Sequence, residues 1–284
     1  MLTAPRLREW VRITSHSVDS PSALPASGLS VSVPRFWGLN GVSARSNTLL
    51  FGPPSLRLPT KGAEDLTLLL GPIFANVILG DEINRAPAKT QAALLEAMQE
   101  SQVTIEGETH QLPSPFLVLA TQNPIEQEGV YQLPEAQLDR FLLKVEITYP
   151  TAAQEVEVLQ THHKPRGEVR AQMTAAEVTA LRKVVDSVHV ADELTHYIVN
   201  LARFTREHQQ VELGASPRAA LALLLAAKAR AVIKDRDYIL PDDVQQLAPA
   251  VMSHRILLQP EAELGGMRTQ EIVKQALQRV RYSK

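Results

Sequence analysis

The chain has 284 residues, 44% of them hydrophobic and 21% charged, with a formal net charge of -2 and a pI near 6.5. That length and composition support one large core or two modest ones, and the near-neutral balance excludes an overall basic footprint for nucleic acid. With no cysteine, disulfides, thiolate metal sites and a cysteine nucleophile are excluded. The apolar run Leu221–Ala227 is too short to span a bilayer and is followed by Lys228 and Arg230, so no membrane span is expected. Together with the missing cysteines, this predicts a cytoplasmic protein. The eight histidines show no HExxH spacing, and His162–His163 reads as part of a solvated linker.

From Met1 to Thr60 there are ten serines and seven prolines but only two acids, Glu9 and Asp19, and the apolar residues follow no sustained period. The segment is expected to be of low order. It lacks both the amphipathic helix of a transit peptide and the apolar stretch of a secretory signal. Asn47–Phe51 predicts a short strand entering a turn at Gly52–Pro53, as a phosphate-binding loop begins. Such a loop requires G-x-x-x-x-G-K-[ST], so that backbone N–H groups, a lysine and a hydroxyl can surround the phosphates. After Gly52 the chain runs Pro53–Pro54–Ser55–Leu56–Arg57–Leu58–Pro59–Thr60–Lys61–Gly62, which fails that spacing and places Pro59 where a helix should start.

Asn76 to Arg85 is an apolar run that ends in Asp81–Glu82. Apolar residues without alternation, closed by Gly80, predict a strand of a parallel sheet covered on both faces. Ligands of open α/β sheets bind at the carboxyl ends of the strands, where one acid can hold a metal ion and its neighbour polarise a water. The same pair could simply begin a helix, where acids suit the dipole. A helix is predicted from about Ala88 to Glu100, with Leu94, Leu95 and Met98 inward. Gln102–Ile105 and Thr109–Leu112 alternate on either side of Gly107 and predict a hairpin, which either contacts a partner or caps the sheet.

Phe116–Thr121 predicts a second parallel strand ending in Gln122, Asn123 and Pro124. Asn123 beside an acid pair can orient a water for attack on a phosphoryl group, although Asn-Pro also opens turns. A short helix near Leu133–Phe141 precedes a predicted third strand, Leu142–Thr148. Arg140 is either a surface partner of Asp139 or a cation offered to a neighbouring subunit's phosphate. Beyond Pro150 the pattern becomes helical, with helices at about Ala152–Thr161, Ala175–Val188 behind a Thr174 cap, and Asp192–Glu207. Ser216–Pro217–Arg218 then supplies a cap, a first-turn proline and an arginine that opposes the helix dipole. An anionic neighbour should offset Arg218, either a phosphate or a nearby acid. A last helix is expected from Pro241.

Residues 71 to about 150 closely resemble the MoxR-type AAA+ ATPases over GPIFANVILGDEINRAPAKTQAALLEAMQE, LATQNPIEQEG and LPEAQLDRFLLK, and GASPRA extends the resemblance to about Arg255. The resemblance implies an α/β fold: an incomplete AAA+ P-loop NTPase core, a parallel sheet with helices, followed by an all-α lid domain. Divided accordingly, residues 1–60 are atypical, 61–150 form a partial core and 151–284 form the lid. It implies ATP and Mg2+ as cofactors, with Asp81 ending the Walker B strand and holding the metal and Glu82 as the base for water. Asn123 becomes the sensor 1 residue, Arg140 the arginine finger reaching across a subunit interface, and Arg218 the sensor 2 residue that binds nucleotide. Implied partners are further copies in a homo-oligomeric, hexameric ring, and a protein with a von Willebrand A domain, with no nucleic acid. The implied activity is ATP hydrolysis coupled to chaperone-like remodelling of protein complexes. The alternative is a non-catalytic interaction subunit of the same descent.

The chain departs from that family upstream. The family carries a complete P-loop, its helix and further sheet before the acid pair, whereas Lys61 lies only 20 positions before Asp81. Nucleotide affinity should be severely reduced, because backbone amides and the lysine supply most of the phosphate grip. The change in composition near Gly71 favours a shifted reading frame or an assembly error upstream over a truncated relative or a subunit that only serves its neighbours. Upstream DNA read in its other frames should then encode G-x-x-G-x-[GA]-K-[ST].

Overall fold

The computed structural model describes residues 55–59, 66–105, 107–123, 133–161 and 171–282. The expected strand at Asn47–Phe51 and the His162–His163 linker lie outside them. Strands β1 (Ser55–Pro59) and β2 (Leu66–Leu70) pair antiparallel, so one strand falls inside the stretch to Thr60 for which the sequence predicts low order.

The site rests on β3 (Val77–Gly80) and β6 (Leu117–Ala120), which pair in parallel with Val77 opposite Leu117 and Gly80 opposite Ala120. Between them the chain forms helix α1 (Ala88–Glu100) and a hairpin of β4 (Gln102–Ile105) and β5 (Glu108–Gln111). Gly107 has φ +86°, the left-handed conformation that favours glycine in a tight turn. Ile83, Leu94 and Leu133 are buried beneath one face of the strand pair, packed with Ile78, Val118 and Ala120. The opposite face differs from expectation. Val77 is 58% exposed, Leu79 46%, Leu117 51% and Leu119 38%. β3 is therefore covered on one side only among the described residues, although its sequence is that of a strand covered on both.

A second correction concerns Leu142–Thr148. No strand forms there; residues 142–150 have no regular structure, and Ile147 and Tyr149 are about nine-tenths exposed. Apolar extended residues become a strand only when a ladder partner accepts their backbone bonds. Here Lys144 instead donates its backbone N–H to Ala250 O at 2.9 Å.

The remainder is helical, as the sequence predicts. Helix α2 (Glu135–Leu138) leads out of the sheet region, and α3 (Ala152–Thr161) is exposed along its length. Next, α4 (Ala175–Asp186) starts at a capping box in which Thr174 Oγ1 accepts from Glu177 N and Thr174 N donates to Glu177 Oε2. Helices α5 (Asp192–Glu207), α6 (Pro217–Ile233) and α7 (Pro241–Met252) enclose a core that includes Leu201, Leu223, Val244 and Val251. Two further helices, α8 (Pro260–Leu264) and α9 (Thr269–Arg279), follow where the sequence reading ended at the Pro241 helix. A small antiparallel pair, β7 (Val211–Leu213) with β8 (Leu257–Leu258), also interrupts the expected all-helical region.

One buried ion cluster supports this helical unit. Asp243, 1% exposed, accepts both forks of Arg236 at 2.7 and 2.8 Å and the Leu240 amide at 2.9 Å, with Arg230 Nε at 3.2 Å. Burial alone pushes this carboxyl up, but Arg236 and the Leu240 amide outweigh it and hold it below the ordinary value. Its contribution is therefore present above the unfolded-state pKa and is lost as pH falls through the lower folded value. Replacing Asp243 by Ala should cost about 3–5 kcal/mol at neutral pH by leaving two cations unpaired. Urea unfolding followed by circular dichroism should show that deficit at pH 7 and a smaller one below about pH 4.

Candidate functional site

At the carboxyl ends of β3 and β6 the chain ties Asp81, Glu82 and the Thr121–Asn123 segment into one edge. Thr121 N donates to Gly80 O at 2.9 Å and Ile83 N to Thr121 O at 3.0 Å, so the ladder continues past both strands. Thr121 Oγ1 then donates to Asp81 Oδ1 at 2.5 Å and accepts from Glu82 N at 2.8 Å. One hydroxyl therefore orients the first carboxylate and fixes the backbone of the second. Glu82 has φ 51° and ψ 51°, a left-handed conformation that costs a non-glycine residue about 1–2 kcal/mol. Such strain collects at functional sites, where surrounding structure over-determines it. Here the over-determination comes from Thr121 and from Ile83, which is fully buried.

The Glu82 side chain meets Arg85, with Oε2 to NH1 at 3.2 Å. Asn84 Nδ2 reaches Asn123 O at 3.3 Å, bringing the second polar tip against the first, and Asn84 Oδ1 is buried with no hydrogen-bond partner among the described residues. Beneath them Gln91, 2% exposed, donates from Nε2 to Ile83 O at 3.2 Å. The sequence reading missed Thr121, Asn84 and Gln91 as members of the site. Thr121 could have been found as the first polar residue after β6, level with the acids in parallel register. Asp81 does not begin a helix of any length: a single 3-10 turn, Ile83–Arg85, separates the acids from α1.

Arg218 and Arg140 lie elsewhere in the bonding pattern. Gly214 approaches Arg206 so closely that a Cβ there would sit 2.6 Å from the Arg206 backbone, which locks the turn entering α6. Ser216 Oγ accepts from Ala219 N at 3.3 Å, capping α6 as predicted, and donates to Asp139 at 3.0 Å. Arg218 NH1 stands 3.8 Å from the same carboxylate. The anion that offsets Arg218 is thus an acid of the chain, Asp139. Asp139 also pairs with Arg255, Nε to Oδ1 at 3.0 Å, rather than with its neighbour Arg140. Arg140 Nε is buried without a hydrogen-bond partner among the described residues. The partner found for Arg218 is Asp139, so it is not joined to Asp81 or Glu82 in this structure.

A hard divalent cation needs oxygen donors and commonly takes only one or two protein carboxylates, completing its shell from phosphates and water. Asp81, with one oxygen engaged by Thr121 and the other not, fits such a role. No cluster of three or more His, Asp or Glu suited to an all-protein metal site occurs among the described residues.

Comparison with known proteins decides the family. Residues 56–143 match the family model for the ATPase family associated with various cellular activities (AAA), and residues 203–276 match the AAA lid domain. The chain is 46% identical to the Bacillus subtilis protein YeaC over 213 residues, 74% of this chain and 67% of that one. It is 41% identical to the chaperone MoxR1 of Mycobacterium tuberculosis over 233 residues, 79% of this chain and 62% of that one. The chain belongs to the MoxR-type AAA+ ATPases. A crystal structure from Cytophaga hutchinsonii, of a protein proposed to be an ATPase, superposes with a TM-score of 0.75 at 40% identity, covering 81% of this chain and 73% of that one. The family models reach beyond both limits of the resemblance read from sequence, back to residue 56 and on to 276. The chain spans about two thirds of the length of these curated relatives. The AAA+ family implies nucleotide binding and assembly into oligomers. No helix among the described residues is long and apolar enough to cross a membrane.

The junction between the two matched regions carries a titratable group. His254 Nε2 lies 3.1 Å from Phe141 O, which only accepts, so Nε2 bears the proton in the neutral ring. Burial, then the adjacent Arg255, pushes this histidine down to about 4. A folded pKa below the unfolded one means stability is complete above about pH 6.5 and is lost as pH falls toward 4, by on the order of 3 kcal/mol at most. Denaturant midpoints measured from pH 7 to pH 4 should fall in the wild type and fall less in His254→Gln.

Proposed function

We propose that this chain acts as a MoxR-like ATP hydrolase in which the β3–β6 edge supplies the metal and water groups and the helical lid supplies a phosphate-sensing cation. In this reading Asp81 would hold Mg2+, Glu82 would take the proton of the attacking water, and Asn123 would orient that water. Bound Mg2+ would supply charge neutralisation at the phosphate oxygens. Arg218 contacts the chain's own nucleotide and Arg140 reaches the nucleotide of the next subunit in a hexameric ring. The observation carrying this reading is the single hydroxyl of Thr121 bonded to both Asp81 and the Glu82 amide, which holds two adjacent acids at one sheet edge.

In this reading the two acids and the lid arginine have distinct duties. Thr121 fixes the orientation of Asp81, while Glu82 stays neutralised by Arg85 until another anion or water competes for it. For Arg218 to meet a phosphate it must leave Asp139, an exchange favoured by its half-exposed position and its long 3.8 Å contact. Turnover would drive chaperone-like remodelling of protein complexes, with a von Willebrand A domain protein as client or partner, in the cytoplasm.

A second reading is supported by one specific observation: the sequence contains no G-x-x-x-x-G-K-[ST], so the main phosphate grip of a P-loop ATPase has no counterpart motif. In that case the chain is a non-catalytic interaction subunit that offers Arg140 and the lid to intact neighbours. Titration with a fluorescent ATP analogue and Mg2+, alongside phosphate release, separates the two. The hydrolase reading expects micromolar binding, with Glu82→Gln keeping that binding while turnover falls about 10²-fold or more. Absence of binding by the wild-type chain would overturn it in favour of the second.

A further inference from the structure

Arg255 is 6% exposed and lies in the lid, directly after His254, yet nearly all its bonds reach back across the junction. Its Nε meets the Asp139 carboxylate at 3.0 Å, and its NH2 donates to Asp139 O at 3.1 Å and Phe141 O at 2.6 Å. NH1 donates to Leu142 O at 3.3 Å and, within the lid, to Val251 O at 2.6 Å. The carbonyls taken are those immediately before and after Arg140. The peptide that carries Arg140 is thus gripped on both sides by a planar five-donor fork, while the Asp139 side chain on the same grip also holds Ser216 and Arg218. Lys144 N to Ala250 O and His254 to Phe141 O extend the contact on either side.

We propose that Arg255 is a positioning residue, a clamp that fixes the backbone around Arg140 to the lid and so makes the presentation of Arg140 depend on where the lid, with Arg218, is held. The chain's two separate phosphate-directed cations then move as one unit: displacement of the lid on nucleotide binding is transmitted to Arg140 through the Arg255 fork, without passing through the sheet. The transmission to catalysis rests on the roles given to Arg140 and Arg218 above; the clamp itself does not. Lysine at 255 would keep the charge but could serve fewer of the five gripped oxygens, because its ammonium is a point donor and not a fork.

Two measurements on the full chain test this. Hydrogen exchange at Lys144 reports the clamp without nucleotide, with Leu201 and Leu223 in the lid interior as fold controls. Arg255→Gln should speed exchange at Lys144 about tenfold or more with the controls unchanged, and Arg255→Lys should fall between it and wild type. Exchange at Lys144 within about twofold of wild type in Arg255→Gln overturns the clamp. If Arg255→Gln unfolds and the controls exchange freely, the comparison is decided by Arg255→Lys against wild type in the same way. In the ATPase assay the clamp predicts a kcat lower by about tenfold with KM nearly unchanged in Arg255→Gln, partly restored in Arg255→Lys. Loosened exchange with unchanged kcat overturns the transmission to Arg140. A wild-type chain that neither binds nor hydrolyses ATP defeats the hydrolase reading and leaves the exchange result to decide the clamp.

Discussion

The parallel pairing of β3 with β6 is the constraint from which the rest of the site follows. In parallel register the carboxyl ends of two strands 40 residues apart emerge side by side, and Gly80 opposite Ala120 brings Asp81 level with Thr121. A shift of one residue would turn Thr121 to the other face and break both of its bonds, since side chains alternate along a strand. The covered face supplies the anchor: Ile78, Val118 and Ala120 pack over Leu94 of α1, and Ile83 plugs the gap just after the acids. Chemistry at the edge is held by packing beneath it, and the left-handed Glu82 is tolerated because the residues around it leave no alternative.

Among the described residues the lid is joined to this core by ion pairs and hydrogen bonds, and no buried apolar cluster spans the junction. Asp139, half hidden at the end of α2, gathers Ser216, Arg218 and Arg255, and the Arg255 fork covers the carbonyls of the extended segment that follows. A carboxylate at the start of α6 also suits the helix dipole, which is how an arginine can occupy the first turn without a bound anion. Such a junction suits movement: a polar contact can be exchanged for a phosphate at modest cost, whereas an apolar interface of similar extent would resist opening.

The uncovered face of β3 and β6, and the unpaired segment after Leu142, belong together physically. Both have the composition of elements buried in a doubly covered sheet, and both present apolar side chains to solvent among the described residues. The family models nonetheless match across β3 and β6, over residues 56–143, and in the lid over residues 203–276. Phosphate binding is the property most exposed to this difference, since it depends on backbone amides of a loop whose motif the sequence does not contain.

Much of the chain is legible in its local sequence pattern. The helix Ala88–Glu100, the hairpin around Gly107, the helix Asp192–Glu207 and the Ser216 cap follow from hydrophobic period, turn chemistry and capping, all of which act over a few residues. The acids after Gly80 and the amide of Asn123 were recognisable because chemistry-bearing residues end both apolar runs. Helix Thr269–Arg279 was equally readable, with Ile272, Val273 and Ala276 buried on one face. What no local pattern contains is pairing between distant residues: Thr121 with Asp81, Asp139 with Arg255 and Arg218 in place of Arg140, and the absence of a ladder partner for Leu142–Thr148. Residue type determines which partners a group can accept; only the tertiary structure decides which one arrives, because hydrogen bonds and ion pairs depend on distances that the chain sets by closing loops of 40 to more than 100 residues.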